Sequence, residues 1–393
     1  MRTLTRILLP AALAVIAGCG GVQNRKAPAM QHDKAGNELV ERLFETVKAG
    51  KILYGHQDDL SYGHAWRVTD PETDSLTRSD VREVSGHYPA VVGFDLGGIE
   101  TGDDKNLDSV SFTLMRRAAL AHVARGGVVT FSWHPRNPLT GGDAWDISSD
   151  KVVGSILPGG EKYGEFRRWL TRVGDFFESL QTPEGERIPF IFRPWHEHTG
   201  SWFWWGKDLC TRDQYRELFR MTWLYLAKDR GLENILWCYS PGAGVEPEGY
   251  MERYPGDEFI DLLGLDCYEY IGKDGIEEAG VAFSEQVKGS LTFMNALGVE
   301  HGKLICLSET GLESLVDPEW WTGVLYPAIK DYPVCYVLTW RNAVAGEDCL
   351  TKTEGIYVAG DNRVKEVRQL VTAAADGAVA AMAAVKYLNE KKA

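Results

Sequence analysis

Residues 189–197 read PFIFRPWHE, an apolar run that stops abruptly in a cluster of charged and aromatic side chains. The same pattern recurs at 51–57 (KILYGHQ), 90–98 (AVVGFDLGG), 126–134 (GGVVTFSWH) and 234–242 (NILWCYSPG). It returns at 259–269 (FIDLLGLDCYE), 303–311 (KLICLSETG) and 334–342 (VCYVLTWRN). Helix-period segments lie between most of these runs. Strand, loop and helix repeated eight times predict an α/β fold, a single-domain (β/α)8 TIM barrel. In that architecture the chemistry gathers where strands run out into loops at the C-terminal face. Glu197 closes the fourth run and Glu309 the seventh, which makes both candidates.

Apolar residues at helical spacing predict a leading helix over 37–50 and further helices over 77–87, 107–125, 163–180, 212–230, 283–297 and 318–330. A short, weak helix is expected around 249–254, and a last one from about 363 toward 388. The stretch 137–160 is rich in Gly, Pro and Asp and reads as a long loop after the third strand. Loops of that length in a compact domain are usually functional. This one falls on the face where a substrate would bind.

With 393 residues, 44% of them apolar, the chain has ample material for one large core. The formal charge is −14, and −16 once Arg2 and Arg6 leave with a leader. That balance argues against nucleic acid and suits a neutral substrate. Residues 1–18 read as a lipoprotein signal peptide, with Arg2 and Arg6 ahead of an apolar stretch over 7–16 too short to span a bilayer. Ile16-Ala17-Gly18-Cys19 resembles a lipobox, so Cys19 is the expected lipidation site and membrane anchor. Residues 19–36 read as a tether and 37–390 as the catalytic domain. Gly20 follows Cys19, and no acidic run does, which points to the periplasm-facing side of an outer membrane.

Strict alternation counted back from Glu309 places Cys306 on the helix-facing side of its strand, and Cys267 likewise. Cys210 and Cys349 fall in loops at the upper face, where pairing is open. No spacing of Cys and His suggests a zinc site, and no metal or organic cofactor is expected.

The richest stretch is 193–206, RPWHEHTGSWFWWG, with five aromatics, two histidines and a carboxylate. A tryptophan there could simply plug the barrel rim. As a group, flat aromatic faces beside hydrogen-bonding side chains suit sugar rings. The second stretch, LSETG at 307–311, ends an apolar strand in Glu309. A buried carboxylate is costly unless partnered; at a barrel's upper rim it can be partly hydrated and used, with a rim salt bridge to Arg193 or Arg341 as the lesser alternative for Glu309. Two carboxylates on one face, at the ends of strands four and seven, are also the minimal equipment for cleaving a glycosidic bond.

These motifs, together with YGHQDD (54–59), FSWHPRNP (131–138), DCYEY (266–270) and LTWRNA (338–343), resemble glycoside hydrolase family 26, known best for β-mannanases. The resemblance runs from about residue 37 to 363. It implies a retaining mechanism with Glu197 as acid/base and Glu309 as nucleophile. It further implies that Tyr268 hydrogen-bonds the nucleophile and that His196 supports catalysis beside the acid/base. Trp340 would lie under the reacting ring, and His134, Trp202, Arg341, His56 and Asp58 would contact substrate or shape the site. Glu269 and Asp95 also end strands but lack the motif, and are read as substrate-binding or structural. The expected activity is hydrolysis of β-1,4-mannan, galactomannan or glucomannan, endo-acting or mannobiose-releasing. A mixed-linkage β-1,3-1,4-glucanase or β-1,3-xylanase is the close alternative, and a non-catalytic glycan-binding lipoprotein the distant one.

Overall fold

The computed structural model describes residues 32–63, 66–271, 275–312, 315–317 and 319–341. The signal peptide, Cys19, most of the tether, Cys349 and the helix expected from 363 lie outside the described residues.

Eight parallel strands close into a barrel in chain order. They are β1 (Leu53–Gln57), β2 (Val91–Asp95), β3 (Val128–Trp133), β4 (Phe190–Pro194), β5 (Ile235–Tyr239), β6 (Leu262–Glu269), β7 (Leu304–Leu312) and β8 (Val334–Thr339). β8 pairs with β1 to complete the ring. The helices are α1 (Lys34–Lys48), α2 (Asp80–Ser85), α3 (Phe112–Ala124), α4 (Val152–Ile156), α5 (Tyr163–Glu178), α6 (Arg212–Trp223), α7 (Pro247–Met251), α8 (Ile276–Glu300) and α9 (Tyr326–Ile329). A small antiparallel hairpin, Tyr62–Gly63 with Trp66–Arg67, sits after β1.

Strand alternation sorts the core into two shells. Val92, Phe94, Phe131, Phe190, Phe192 and Trp237 face outward and pack under the helices. Val91, Val128, Ile191, Leu236, Leu262 and Leu304 face inward. α1 closes the bottom of the lumen by packing Leu39, Val40, Leu43, Phe44 and Val47 against these inner residues. Asp33 caps α1 by accepting a hydrogen bond from the Gly36 amide at 2.9 Å, worth about 1 kcal/mol for a cap of this type. His32 is tied to Asp261 at 2.7 Å. Residues 32–36, expected in the tether, therefore belong to the folded unit.

β7 departs from strict alternation. Leu265 pairs with Leu307 but Asp266 pairs with Glu309, so Ser308 is an extra residue in a β-bulge. Leu304, Cys306 and Ser308 point into the lumen, and the bulge returns Glu309 to the lumen as well. Cys306 is thus an inward thiol, 3.8 Å from Cys238, and not helix-facing as alternation alone predicts. Cys267 does face the helices, against Gln286 of α8. Bulges concentrate beside active sites because they re-aim a side chain. Here the re-aimed side chain is a candidate nucleophile.

Candidate active site

The inward residues at the top of β4 to β7 form one charged layer. Arg193 on β4 is 3% exposed and reaches across the lumen to two carboxylates. Its Nη1 donates to Asp266 Oδ2 at 2.7 Å, and its Nη2 donates to Glu309 Oε1. The other Asp266 oxygen accepts from Ser240 Oγ at 2.7 Å and Ser308 Oγ at 2.8 Å. The Tyr268 hydroxyl donates to Glu309 Oε2 at 2.6 Å, so both oxygens of Glu309 are held. Burial, then the charge of Glu309, pushes the Tyr268 phenol well above its ordinary range, which keeps it a donor. The rim ion pair between Arg193 and Glu309 is therefore present, whereas Arg341 pairs with Asp108 at 2.8 Å.

Glu197 arrives from a different construction. Beyond β4 the chain turns through two residues in the left-handed region, Trp195 (φ 57°) and Glu197 (φ 52°). Such backbone costs about 1–3 kcal/mol per residue and persists only when its surroundings over-determine it. The surroundings here are aromatic. Trp195 is fully buried among Trp133, Phe166, Trp204 and Trp205. Its carbonyl accepts from the Tyr215 hydroxyl at 2.8 Å, and the His196 carbonyl accepts from Trp205 Nε1 at 2.8 Å. The Glu197 amide donates to the Ser240 carbonyl at 2.7 Å.

Of the five aromatics in this motif, only Trp202 faces solvent, at 47% exposure. Trp195, Phe203, Trp204 and Trp205 are buried, and they brace the turn where stacking on sugar was expected. Trp202 folds back so that its Nε1 donates to Glu197 Oε2 at 2.7 Å. A Cβ at Gly200 would stand 2.1 Å from that indole, so the glycine is what lets it close.

Glu197, Asp266 and Glu309 each present an oxygen within 4.8 Å of the others. Three such groups could hold a cation, but the Arg193 guanidinium already bonds two of them. Burial, then the charge of Glu309, lifts the Glu197 carboxyl to about 7. A carboxylic acid that stays protonated near neutrality, facing a second carboxylate, is the arrangement that separates acid from nucleophile.

His134 and His196 form a second polar chain. Asp95 Oδ2 receives Ser132 Oγ at 2.6 Å and lies 2.7 Å from His134 Nδ1. His134 Nε2 lies 3.0 Å from His196 Nε2. Burial alone would lower His134, but the Asp95 carboxylate and the charge of Glu309 outweigh it, and the net direction is up. His196 is driven well down by burial and by Arg193 and His134. One proton must lie between the facing nitrogens, and these directions put it on His134. Asp95 is therefore a buried structural partner.

Trp340 lies 6.2 Å from the His134 ring, edge to face with it. Asp58, Tyr62, Asp108 and Arg341 make a separate polar group above β1, with Tyr62 donating to Asp58 at 3.2 Å. His56 does not join the site. Gly55 packs inward against Val91 and Leu338, so the neighbouring His56 points outward, 4.0 Å from Asp59. Glu269 also faces away from the lumen, accepting from Trp320 Nε1 at 2.7 Å.

Three residues of the site carried no expected role. Asp266 shares strand parity with Tyr268, which could have revealed it. Arg193 stood in the motif only as a salt-bridge partner. Trp145, in the long loop, is 49% exposed and stacks on His134 at 5.3 Å; nothing in its sequence surroundings marks it.

The family model for glycosyl hydrolase family 26 matches residues 30–303. The mannan endo-1,4-beta-mannosidase of Bifidobacterium adolescentis is 30% identical over 315 residues, covering 76% of this chain and 31% of that protein. That of Bacillus subtilis strain 168 is 30% identical over 211 residues, covering 50% of this chain and 55% of its own. The chain thus spans about a third to about half the length of these relatives. Among solved structures, a GH26 beta-mannanase from Bacteroides ovatus is 43% identical, with a TM-score of 0.74, covering 86% of this chain and 90% of that one. An endo-beta-1,4-mannanase from Cellulomonas fimi, as a double mutant, is 33% identical with a TM-score of 0.71, over 82% and 72%. A family model matched over most of the length, and a solved relative matched nearly end to end, agree with the closed barrel and its paired glutamates: the chain belongs to glycosyl hydrolase family 26.

Proposed function

We propose that this protein is a retaining glycoside hydrolase that cleaves β-1,4-mannosidic bonds. The observation that carries the reading is the approach of Glu197 and Glu309 to within 4.8 Å across one cleft. Retaining enzymes hold their carboxyl groups roughly 5–5.5 Å apart, whereas inverting ones leave roughly 6.5–9.5 Å for a water. Glu309, fixed by Arg193 and Tyr268, attacks the anomeric carbon while Glu197 protonates the departing oxygen. Once Glu309 is esterified its charge is gone, the Glu197 carboxyl becomes more acidic, and it serves as base toward the incoming water. Trp202, His134, His196 and Trp340 stand beside the paired glutamates as the residues that would meet the reacting ring, and Arg341 and Asp58 belong to the neighbouring polar group above β1. The names of the relatives favour mannan as the glycan.

The test is hydrolysis of galactomannan, lichenan and β-1,3-xylan side by side, with Glu197→Gln and Glu309→Gln as controls. Mannan hydrolysis is expected to dominate and to fall at least about a thousandfold in either variant, since each removes a reacting group. Full activity in either variant would end the assignment. A time course on mannohexaose separates a ladder of products from mannobiose alone. The lipobox-like sequence supports anchoring through Cys19 to the periplasm-facing side of an outer membrane. Cys19→Ala should then move the protein from the membrane to the soluble periplasmic fraction.

A further inference from the structure

Among the described residues six that are not glycine take a left-handed backbone, and four of them stand at the upper rim. Trp195 and Glu197 build the turn that carries the acid/base. Asp58 (φ 58°) and Ser109 (φ 61°) flank the polar group above β1. The loop between β2 and α3 is fastened around Ser109. Asn106 Oδ1 accepts from the Asp108 amide at 3.0 Å and the Val110 amide at 2.9 Å, and Asn106 Nδ2 donates to the Asp95 carbonyl at 2.9 Å. Arg67 Nη1 donates to the carbonyls of Asp108 and Ser109, each at 3.2 Å. Strained backbone persists only where its surroundings over-determine it, and it collects at ligand clamps. What this loop presents is the Asp108 side chain.

Asp108 Oδ1 accepts from Arg341 Nε at 2.8 Å. As a stabilising ion pair this one is poorly built. Asp108 is buried, its Oδ2 has no hydrogen-bond partner among the described residues, and burial lifts its carboxyl to about 6 against the pull of Arg341. The neighbouring Asp58 leaves Oδ1 unpartnered in the same way. Such a pair adds little to the stability of the fold. What it does is fix Arg341. A guanidinium is planar and rigid, so the bond at Nε, with the Tyr62 hydroxyl also acting on the group, sets the direction of the other N–H groups. The Arg341 side chain is 25% exposed, so part of that edge reaches solvent. The group adjoins the paired glutamates' cleft, because the charges of Asp95 and His134 act on Asp108.

The departing oxygen is protonated at Glu197, just beyond β4, so the sugars retained on Glu309 extend away from β4. That direction leads to the rim of β8, β1 and β2, where Arg341 stands. A guanidinium donates and never accepts, which suits the hydroxyl oxygens of a neutral ring. Resting on the hydrolase reading, we propose that Asp108 is a positioning residue. It holds Arg341 so that the exposed N–H groups bind hydroxyl oxygens of the sugar next to the reacting one, on the side away from the leaving group.

The readout is the ratio of kcat/KM on p-nitrophenyl β-mannobioside, which fills both positions, to that on p-nitrophenyl β-mannoside, which fills only the reacting one. The parent should prefer the mannobioside, and Asp108→Ala and Arg341→Met should each lower that ratio at least about tenfold, since hydrogen bonds to the second ring are what separate the two substrates. Because Asp108 acts through Arg341, the double variant should fall no further than Arg341→Met alone. Loss of a merely structural residue would slow both substrates alike and leave the ratio where it was. Circular dichroism confirms folding; if Asp108→Ala is unfolded, the isosteric Asp108→Asn should lower the ratio in the same direction. The parental ratio in a folded Asp108 variant, or losses that add in the double variant, overturns the proposal. A parent that cleaves mannan without preferring the mannobioside overturns it as well. A parent that cleaves no mannan ends the hydrolase reading itself, and this inference with it.

Discussion

The two walls of the upper lumen are both polar and both buried, yet they are built on opposite terms. On the β4–β7 wall Arg193, Asp266, Glu309, Tyr268, Ser240 and Ser308 are bonded to one another, and the carboxylate oxygens of Asp266 and Glu309 all have partners. Around the upper end of β1, Gln57 Nε2, Asp58 Oδ1, Ser61 Oγ and Asp108 Oδ2, and on its outward side both ring nitrogens of His56 and Asp59 Oδ2, are buried without a hydrogen-bond partner among the described residues. An unpaired polar group in a low dielectric is expensive. The first wall has its stabilisation built in, as fixed charges facing a developing positive centre require. The second carries desolvated acids with fewer partners, and its stability should fall as pH rises through their titration.

The harshest way to break the contrast is Arg193→Met. It removes the one cation shared by Asp266 and Glu309 and leaves two buried carboxylates unpaired. Loss of one partner from a buried pair costs about 3–5 kcal/mol, and mannan hydrolysis should disappear with it. Urea unfolding reads the loss. Adding Asp266→Asn should recover a large part of the stability but none of the activity. Equal stability of Arg193→Met and the parent would mean that the wall is not organised around this guanidinium.

Tyr268→Phe is gentler. It deletes one hydrogen bond, at 2.6 Å, to an oxygen of Glu309 and leaves the Arg193 contact in place. A drop of about 10- to 100-fold in kcat is expected, since a hydrogen bond to a charged group contributes about 1.5–3 kcal/mol. Unfolding midpoints should barely move.

Smaller still is a shift in titration. Glu197 must be protonated to act as acid, so kcat/KM should fall as pH rises through about 7. Burial is the first cause of that position and the Glu309 charge the second. In Glu309→Gln the second cause vanishes, and carboxyl NMR should find Glu197 titrating lower than in the parent but still above an ordinary glutamate. An unchanged titration would show that the two groups do not sense each other.

Much of this was legible because strand parity is a strict code. The eight runs and the outward Cys267 follow from counting by twos, and the two glutamates were legible from the motifs that end their runs. Counting failed where the chain breaks step. Ser308 inserts a residue, so Cys306 and Glu309, three apart, both face the lumen. His56 and Asp58 share a motif, but the strand ends at Gln57 and Asp58 takes φ 58°, which turns it over the rim while His56 faces out. The aromatic cluster was legible as a cluster but not as a brace, because nothing in WFWW tells which ring lies beneath a strained turn. Trp145 reaches His134 through a long loop whose path has no periodicity to read.

The finest test of the contrast lies on the β1 wall. Burial, ahead of every other cause, lifts the Asp59 carboxyl to about 7, although the Val81 amide donates to it at 3.3 Å. An acid whose folded pKa stands above its unfolded value binds its proton more tightly when folded. Its contribution is therefore favourable at low pH and is withdrawn as pH rises from the unfolded value near 4 toward about 7. Asp59→Asn keeps an oxygen for the Val81 amide and cannot ionise. At about pH 3.5, below the unfolded value, the variant and parent should unfold within about 0.5 kcal/mol of each other, and at pH 8 the variant should be the more stable by about 1 kcal/mol or more. The corresponding change on the other wall, Asp266→Asn with Arg193 intact, should destabilise at both pH values, because it strips a partner from an arginine that has none to spare. If both substitutions moved stability in the same direction at pH 8, the two walls would be alike after all, and the unpaired atoms above β1 would be no debt.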